Sequence, residues 1–165
     1  MKILGIDPGF AIAGYGVIEK SKSGLVAIDY GAVTTPPNEN AAVRLAMLAE
    51  NLEKLIKKHA PDVVAVEELF FSQNVKTAIQ VAQARGVILL CAVRECGKLF
   101  EYTPLQIKQA LTGNGRADKQ QIQYMVRVIL KLREIPKPDD AADALAAAIC
   151  HAHTSEYALS SGYVK

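Results

Sequence analysis

The sequence contains no tryptophan, and its three cysteines are an odd number without a CxxC pair. This usage is typical of a reduced, cytoplasmic protein in which Cys91, Cys96 and Cys150 are small core residues. No apolar run reaches the roughly 18 residues that cross a membrane, and the first residues lack the basic and long apolar segments of a signal peptide. We therefore expect one globular, cytoplasmic domain without a membrane segment.

The usual signatures of nucleophilic and nucleotide-binding sites are also missing. No Ser-His-Asp or Cys-His arrangement stands out, and the glycine-rich turn 113–116 lacks the GxxxxGK pattern of a phosphate-binding loop. The turn leads instead into a helix that begins near Asp118 and Gln121, which are spaced as a capping pair. Such a helix N-terminus can hold a phosphate, and Lys119 would add positive charge to it.

Charge is nearly balanced overall but unevenly distributed. The net charge is +2, yet residues 94–137 hold nine lysines and arginines against four acids, whereas residues 138–165 hold one base against four acids. A basic segment beside a group of carboxylates is typical of a protein that holds a polyanionic substrate over metal ions. Each base taken alone is equally well explained as part of a solvated helix face.

Carboxylates end apolar runs at places far apart in the sequence. Asp7 and Glu67 each end such a run, and Asp140 and Asp143 lie three residues apart on one face of an alanine-rich segment. The apolar residues around Asp143 predict a buried helix, and a buried acid is costly to desolvate unless a cation meets it. The four acids therefore predict a shared divalent-metal site, and oxygen ligands favour Mg²⁺ or Mn²⁺ over zinc.

Each acid also has a simpler local interpretation. Asp7 precedes Pro-Gly and could form a turn, and Glu67 is followed by Glu68, so that one of the two could simply be solvated. Asp139 and Asp140 open a helix, where an acid can cap the first turn or offset the helix dipole. We assign the N-cap role to Asp139.

Hydrophobic periodicity and turn residues predict the order of the elements. Three strands joined by short turns form an antiparallel meander, and a following α-β-α-β-α succession adds two parallel strands to give a five-stranded mixed sheet flanked by helices. If the first and fourth strands are neighbours, Asp7 and Glu67 meet at one edge of the sheet. The predicted elements are strands 2–7, 14–18, 25–33, 62–67 and 98–102 and helices 41–59, 74–96, 104–112, 118–132 and 139–153.

Two further features point to contacts outside the chain. Phe70 and Phe71 follow the predicted strand that ends in Glu67, where they either tuck into the core or stack on bases. In helix 74–96 the apolar residues cover more than one core stripe, which favours an isologous dimer. Small residues recur there every four positions, and the predicted interface residues are Ala78, Ala82, Arg85, Gly86 and Leu89.

Several motifs occur in a characteristic order along nearly the whole chain. They are Ile6-Asp7-Pro8-Gly9 with Gly14-Tyr15-Gly16, then Val66-Glu67 with Phe70, then Gln83-Ala84-Arg85-Gly86-Val87, and finally Asp140-Ala141-Ala142-Asp143-Ala144-Leu145-Ala146. Together they strongly resemble the RuvC family of bacterial Holliday-junction resolvases. The resemblance implies an RNase H-like fold, which we expect for residues 1–154. Residues 155–165 carry little sequence pattern, so we expect a flexible tail there.

The resemblance also implies a function and its site. A homodimer would cut four-way DNA junctions by paired symmetric nicks, with two Mg²⁺ ions per site (Mn²⁺ able to substitute), in partnership with the RuvA–RuvB branch-migration complex. The products would carry 5′-phosphate and 3′-hydroxyl ends. Phe71 and Asp139 lie outside the family pattern. The implied catalytic acids are Asp7, Glu67, Asp140 and Asp143, and the family's DNA-contacting positions fall on Lys108, Lys119 and Phe70. Lys119, which opens a helix beside the glycine-rich turn, is also a candidate catalytic residue, and the further candidate DNA contacts are Phe71, Lys76 and Arg116.

Three other functions share some of these features. An RNase H-like nuclease acting on structured RNA would use the same acids. An actin-like ATP-binding protein can show a similar strand, Asp-x-Gly turn and strand, but 165 residues leave no room for its second lobe. In a non-catalytic junction-binding module, four buried anions would weaken the binding of DNA phosphates unless metal ions neutralised them.

Overall fold

The computed structural model describes the backbone of residues 1–68 and 75–154, and the side chains of these residues except 75–77. Its strands are β1 (Lys2–Asp7), β2 (Ile12–Ser21), β3 (Gly24–Thr34), β4 (Val63–Glu67) and β5 (Leu99–Tyr102). They form one sheet in the order β3-β2-β1-β4-β5. The first three are antiparallel and β1, β4 and β5 are parallel, which confirms the predicted mixed sheet.

Helices cover both faces of this sheet. They are α1 (Ala41–His59), α2 (Val75–Glu95), α3 (Pro104–Thr112), α4 (Lys119–Ile129) and α5 (Asp139–His153). One core cluster joins the sheet to α3, α4 and α5, and a second joins the opposite face to α1 and α2. Two of the three free cysteines, Cys91 and Cys150, are buried in these cores as the sequence predicts, and Cys96 is half-buried.

Helix α5 lies directly against the sheet because glycines leave room for its backbone. A Cβ atom on Gly5 would lie 1.9 Å from the carbonyl oxygen of Ala144, and one on Gly14 would lie 2.0 Å from the carbonyl oxygen of Asp140. Gly14 is also the residue opposite Asp7 in the β1–β2 pairing. Close packing of α5 on these glycines therefore brings Asp140 to the end of β1.

Side-chain capping fixes the starts of α3 and α4. Asp118 and Gln121 form the predicted capping box, in which the backbone N–H of Gln121 donates to Asp118 Oδ1 over 2.8 Å. Helix α4 is shorter than predicted and ends at Ile129, because Lys131 adopts a positive φ of 53°. The following loop therefore begins within the predicted helix.

The N-cap assignment of Asp139 is wrong. Pro138 occupies the N-cap position without a side-chain cap, and Asp139 is the first residue of α5. Its carboxylate accepts instead from Lys137 Nζ over 2.9 Å. Asp139 and Asp140 still place negative charge in the first turn, where it is favourable with the helix dipole.

In residues 1–68 and 75–154, no helix combines the length and apolar character needed to cross a membrane. Residues 155–165 lie outside the described residues, so the boundary of the domain at residue 154 stays a prediction.

Candidate active site

The carboxyl ends of β1 and β4 bring two of the predicted acids together. These strands are parallel neighbours, with Ile6 opposite Val66, so the next residues Asp7 and Glu67 emerge side by side. Both carboxylates line one open cavity of about 410 Å³. The predicted meeting of Asp7 and Glu67 at this edge of the sheet is therefore confirmed.

The first turns of α5 supply the other two acids. Asp143 lines the same cavity, and its side chain is 26% exposed. Asp140 is half-buried beside Gly14, and its charge acts on Asp7, although it does not line the cavity itself. The predicted acids thus form one group, with Asp140 at its margin.

Burial and mutual repulsion make the acids unusually basic. Burial, followed by the charges of Asp143 and Asp140, raises the pKa of Asp7 to about 7. Burial, followed by the charges of Asp7 and Asp143, raises the pKa of Glu67 to about 8. Burial also raises the pKa of Asp143, although Lys119 opposes that effect. Such a group is stabilised by an added cation.

Lys119 is the cation that the structure places nearest to Asp143. Its Nζ atom lies 3.2 Å from Asp143 Oδ2 and 3.5 Å from Asp139 Oδ2. Partial desolvation alone would lower the pKa of Lys119, but these two carboxylates raise it. The charge on Lys119 is consequently held at the mouth of the cavity.

The remaining wall of the cavity comes from the residue after β4 and from α3, with Ile122 of α4 and Ala146 of α5. Lys108 lines it, together with Glu68, Pro104 and Ile107. The family pattern predicts Lys108 as a DNA contact, whereas the sequence predicts that one of Glu67 and Glu68 could simply be solvated. The adjacency of Glu68 to Glu67 was the only signal available, since which strand-end side chains face a cavity depends on the packing of α3.

The donor set fits a divalent cation in its chemistry. Asp7, Glu67 and Asp143 offer only oxygen, the ligand type that Mg²⁺ and Mn²⁺ prefer. In the part of the chain that the structure describes, no three acidic, histidine or cysteine side chains are already arranged tightly enough to hold one ion. Burial and the neighbouring acids raise the pKa values of Asp7 and Glu67, so a bound cation would favour the charged forms of both carboxylates.

Of the other four predicted DNA contacts, Arg116 is the one whose side chain the structure describes. Phe70 and Phe71 lie outside the described residues, and Lys76 lies in the first turn of α2, where side chains are not described. Arg116 lies in the exposed turn before α4, and its backbone N–H donates to Asn114 Oδ1 over 3.0 Å. These four contacts stay predictions.

Neither histidine of α5 faces the cavity. His151 is 2% exposed, and its Nδ1 atom lies 2.8 Å from the hydroxyl oxygen of Tyr102. Burial, followed by the charge of Lys20, lowers the pKa of His151 to about 4, so it is a neutral core residue. His153 is exposed, and its Nδ1 lies 3.3 Å from the carbonyl oxygen of Ala110.

Helix α2 leaves an apolar face uncovered. Ile79, Leu90 and Val93 are 55%, 49% and 40% exposed, and the small residues Ala82 and Gly86 are exposed between them. On the opposite side, α2 packs into the core, with Ala84, Ile88, Cys91 and Ala92 buried. This exposed strip is the feature expected of a helix that packs against a second protein surface.

The chain is similar to one protein family over nearly its whole length. The family model described as "Crossover junction endodeoxyribonuclease RuvC" matches residues 3–151. Crossover junction endodeoxyribonuclease RuvC of Desulfitobacterium hafniense is 61% identical over 155 residues, which are 93% of this chain and 93% of that protein. The protein of the same name from Clostridioides difficile is 56% identical over 156 residues, which are 94% of this chain and 92% of that protein.

The chain belongs to the RuvC family. The structure of Thermus thermophilus RuvC covers 100% of both chains with a TM-score of 0.87 and 34% identity. T. thermophilus RuvC in complex with Holliday junction substrate gives a TM-score of 0.86 with 32% identity, again over 100% of both chains. These likenesses confirm the predicted RNase H-like fold class as well as the family.

Proposed function

We propose that this RuvC-family protein is an endonuclease that resolves four-way DNA junctions. The observation that carries the proposal is the cavity in which Asp7, Glu67 and Asp143 meet Lys119 and Lys108, in a chain that matches the family over residues 3–151. A protein of the same fold and family is known in complex with Holliday junction substrate. The reaction we assign is hydrolysis of a phosphodiester at each of two symmetric positions.

Metal-ion binding is the first task that we assign to the acids. Asp7, Glu67 and Asp143, with Asp140 at the margin, would hold two Mg²⁺ ions, for which Mn²⁺ could substitute. When bound, such ions supply charge that activates a water and stabilises the leaving oxygen. The residues themselves set where that charge lies, because Asp7 and Glu67 sit on neighbouring strands and Asp143 on a helix packed against them.

The two lysines of the cavity are assigned to the substrate. Lys119 opens α4 and Lys108 lies on α3, so that positive charge enters the cavity from two helices. A scissile phosphate placed between them would gain two charge-assisted contacts. Lys119, whose ammonium lies 3.2 Å from Asp143 Oδ2, also opposes the burial that raises the pKa of that carboxyl. The products would carry 5′-phosphate and 3′-hydroxyl ends.

Two copies of the chain would act together. A junction of near two-fold symmetry needs two nicks, and an isologous dimer supplies two sites related by the same symmetry. The exposed apolar strip on α2, which includes Ala82 and Gly86, supports this pairing. The predicted interface residues Ala78, Arg85 and Leu89 flank the strip and are half-buried within one chain, where Arg85 pairs with Glu101 of β5.

Partners and location follow from the same proposal. We assign the RuvA–RuvB branch-migration complex as the partner that delivers the junction, and recombination and repair of DNA as the setting. The relatives at 56% and 61% identity are bacterial proteins, and bacterial DNA lies in the cytoplasm, where we place this activity.

One assay tests the reaction. Purified protein is incubated with a labelled synthetic four-way junction in Mg²⁺ and, separately, in EDTA. We expect two symmetric nicks that a DNA ligase can seal in Mg²⁺, and none in EDTA. A structured RNA of similar size is the competing substrate, because an RNase H-like site on RNA would use the same acids. Cleavage of the RNA in preference to the junction would contradict the proposal.

A further inference from the structure

Arg85 of α2 and Glu101 of β5 form an ion pair on the reverse side of the sheet from the active site. The Nη2 atom of Arg85 donates to Glu101 Oε1, and the two side chains are only 27% and 29% exposed. No group in the described part of the chain accepts a hydrogen bond from the buried Nε atom of Arg85. Within the described residues, Glu101 is therefore the group that accepts a hydrogen bond from this guanidinium.

The position of Glu101 connects the pair to a catalytic carboxylate. Glu101 lies opposite Val66 in the β4–β5 pairing, and the next pair is Glu67 with Tyr102. Successive side chains of a strand point to opposite faces, so Glu101 points away from the face that carries Glu67. The pair thus links α2 to the face of the sheet opposite the Glu67 side chain, at the position of Val66, one residue before Glu67.

The position of Arg85 connects the pair to the exposed face of α2. Arg85 lies between the buried Ala84 and the exposed Gly86, and Ala82 is exposed one turn earlier. The other ion pair of α2 joins Glu95 to Lys57 of α1 over 3.4 Å and does not reach the sheet. Among the described side chains, Arg85–Glu101 is the one polar link between α2 and a strand.

We propose that Arg85 and Glu101 are a positioning pair that fixes Glu67 relative to the exposed face of α2. This inference rests on the proposed function, in which two copies join through that face. The pair would then set the separation and orientation of the two cleavage centres. A planar guanidinium suits this task because its hydrogen bonds to a carboxylate fix direction as well as distance. Removing one partner leaves the other charge partly buried and unpaired, which would let α2 shift.

The test uses two single variants and a double variant. Arg85→Gln and Glu101→Gln should each remain dimeric by sedimentation and keep nearly normal affinity for the junction. Both should lower kcat about tenfold or more, since a shift of about 1 Å in a catalytic group has effects of up to 100-fold. The charge exchange Arg85→Glu with Glu101→Arg should recover most of that loss. Glu95→Gln, which breaks the α1–α2 pair, is the matched control and should leave kcat unchanged.

A second readout does not depend on cleavage. Calorimetric titration of Mn²⁺ into each single variant should show weakened binding by a similar factor, because both variants displace Glu67. Unchanged kcat and unchanged Mn²⁺ binding in both single variants would overturn the inference. Loss of the dimer in Arg85→Gln but not in Glu101→Gln would also overturn it, since Arg85 would then act on the partner copy. A wild-type protein that binds Mn²⁺ but cuts no junction would refute the proposed function while leaving the Mn²⁺ test of the pair intact.

Discussion

The Nζ atom of Lys119 lies 3.2 Å from Oδ2 of Asp143. This contact joins the first residue of α4 to a carboxylate of α5 that lines the cavity with Asp7 and Glu67. Two helices that are separate in sequence thereby share one charged site. Because Lys119 is 55% exposed, its ammonium can meet a bound phosphate without leaving the carboxylate group.

Replacing Lys119 by alanine should slow cleavage about 100- to 1000-fold at saturating junction. That range is typical when one preorganised group that stabilises transition-state charge is removed. Single-turnover rates on a labelled junction measure the effect. Lys22→Ala, in the exposed β2–β3 turn, is the matched control and should cut normally. Unchanged rates for Lys119→Ala would show that this lysine is only a solvated surface residue.

Asp7→Asn and Asp143→Asn should each abolish cleavage and leave junction binding largely intact. Each change removes a charge that we assign to metal binding while hardly altering side-chain volume. Gel-shift titrations in Ca²⁺ and cleavage assays in Mg²⁺ separate the two properties. Glu39→Gln, at an exposed position before α1, serves as the control. Normal cleavage by either aspartate variant would rule out the metal role.

The metal-free protein should lose stability as pH rises from about 4 to about 8. The pKa of Asp7 is raised from 3.8 to about 7 and that of Glu67 from 4.5 to about 8, both mainly by burial. In this window the folded state binds more protons than the unfolded state, so the free energy of unfolding falls as pH rises. The measurement is Tm in EDTA at pH 5 and pH 8.

The comparison that isolates this effect is the wild type against Asp7→Asn. His151 has the opposite effect on stability, because burial lowers its pKa from 6.5 to about 4 and stability then rises with pH over that range. Both proteins share that contribution. The fall in Tm from pH 5 to pH 8 should be smaller in Asp7→Asn. Adding Mg²⁺ at pH 8 should raise the Tm of the wild type more than that of the variant. A larger fall in the variant would contradict the assignment.

Ala82→Arg should convert the proposed dimer into monomers and eliminate paired incision. Ala82 is exposed on the apolar strip of α2, so a long charged side chain there would be desolvated in a close helix–helix contact. Sedimentation velocity at micromolar concentration measures the outcome. Ala46→Arg makes the same change at an exposed position of α1 and should remain dimeric. A wild-type chain that sediments as a monomer would refute the dimer.

Phe70→Ala should cut an intact junction poorly but cut a junction with unpaired central bases nearly as well as the wild type does. Stacking of an aromatic side chain on a base contributes roughly 1–3 kcal/mol, comparable to the few kcal/mol needed to unstack a base step. A substrate that is already unstacked no longer needs that help. Equal impairment on both junctions would assign Phe70 to packing, and the same comparison with Phe71 would show whether one or two aromatics act.

Local patterns in the sequence were sufficient to predict the sheet and most of the acids. Alternating and continuous apolar runs specify strands, so the positions of Asp7 and Glu67 at strand ends followed once β1 and β4 were neighbours. The spacing of Asp140 and Asp143 placed both on one face of α5. The capping box of Asp118 was equally readable, because it depends only on residues three apart.

Only the tertiary structure decided which side chains meet across elements. The pairs Lys119–Asp143 and Arg85–Glu101 join residues 24 and 16 positions apart, a separation at which local patterns carry no information. The N-cap prediction for Asp139 is wrong because Pro138 occupies that position, and Lys137 and Lys119 pair with the Asp139 carboxylate. Sequence thus determined the elements and the charges that they carry, whereas the packing of helices on the sheet determined which of those charges meet. Contact between distant elements depends on how closely their backbones can approach.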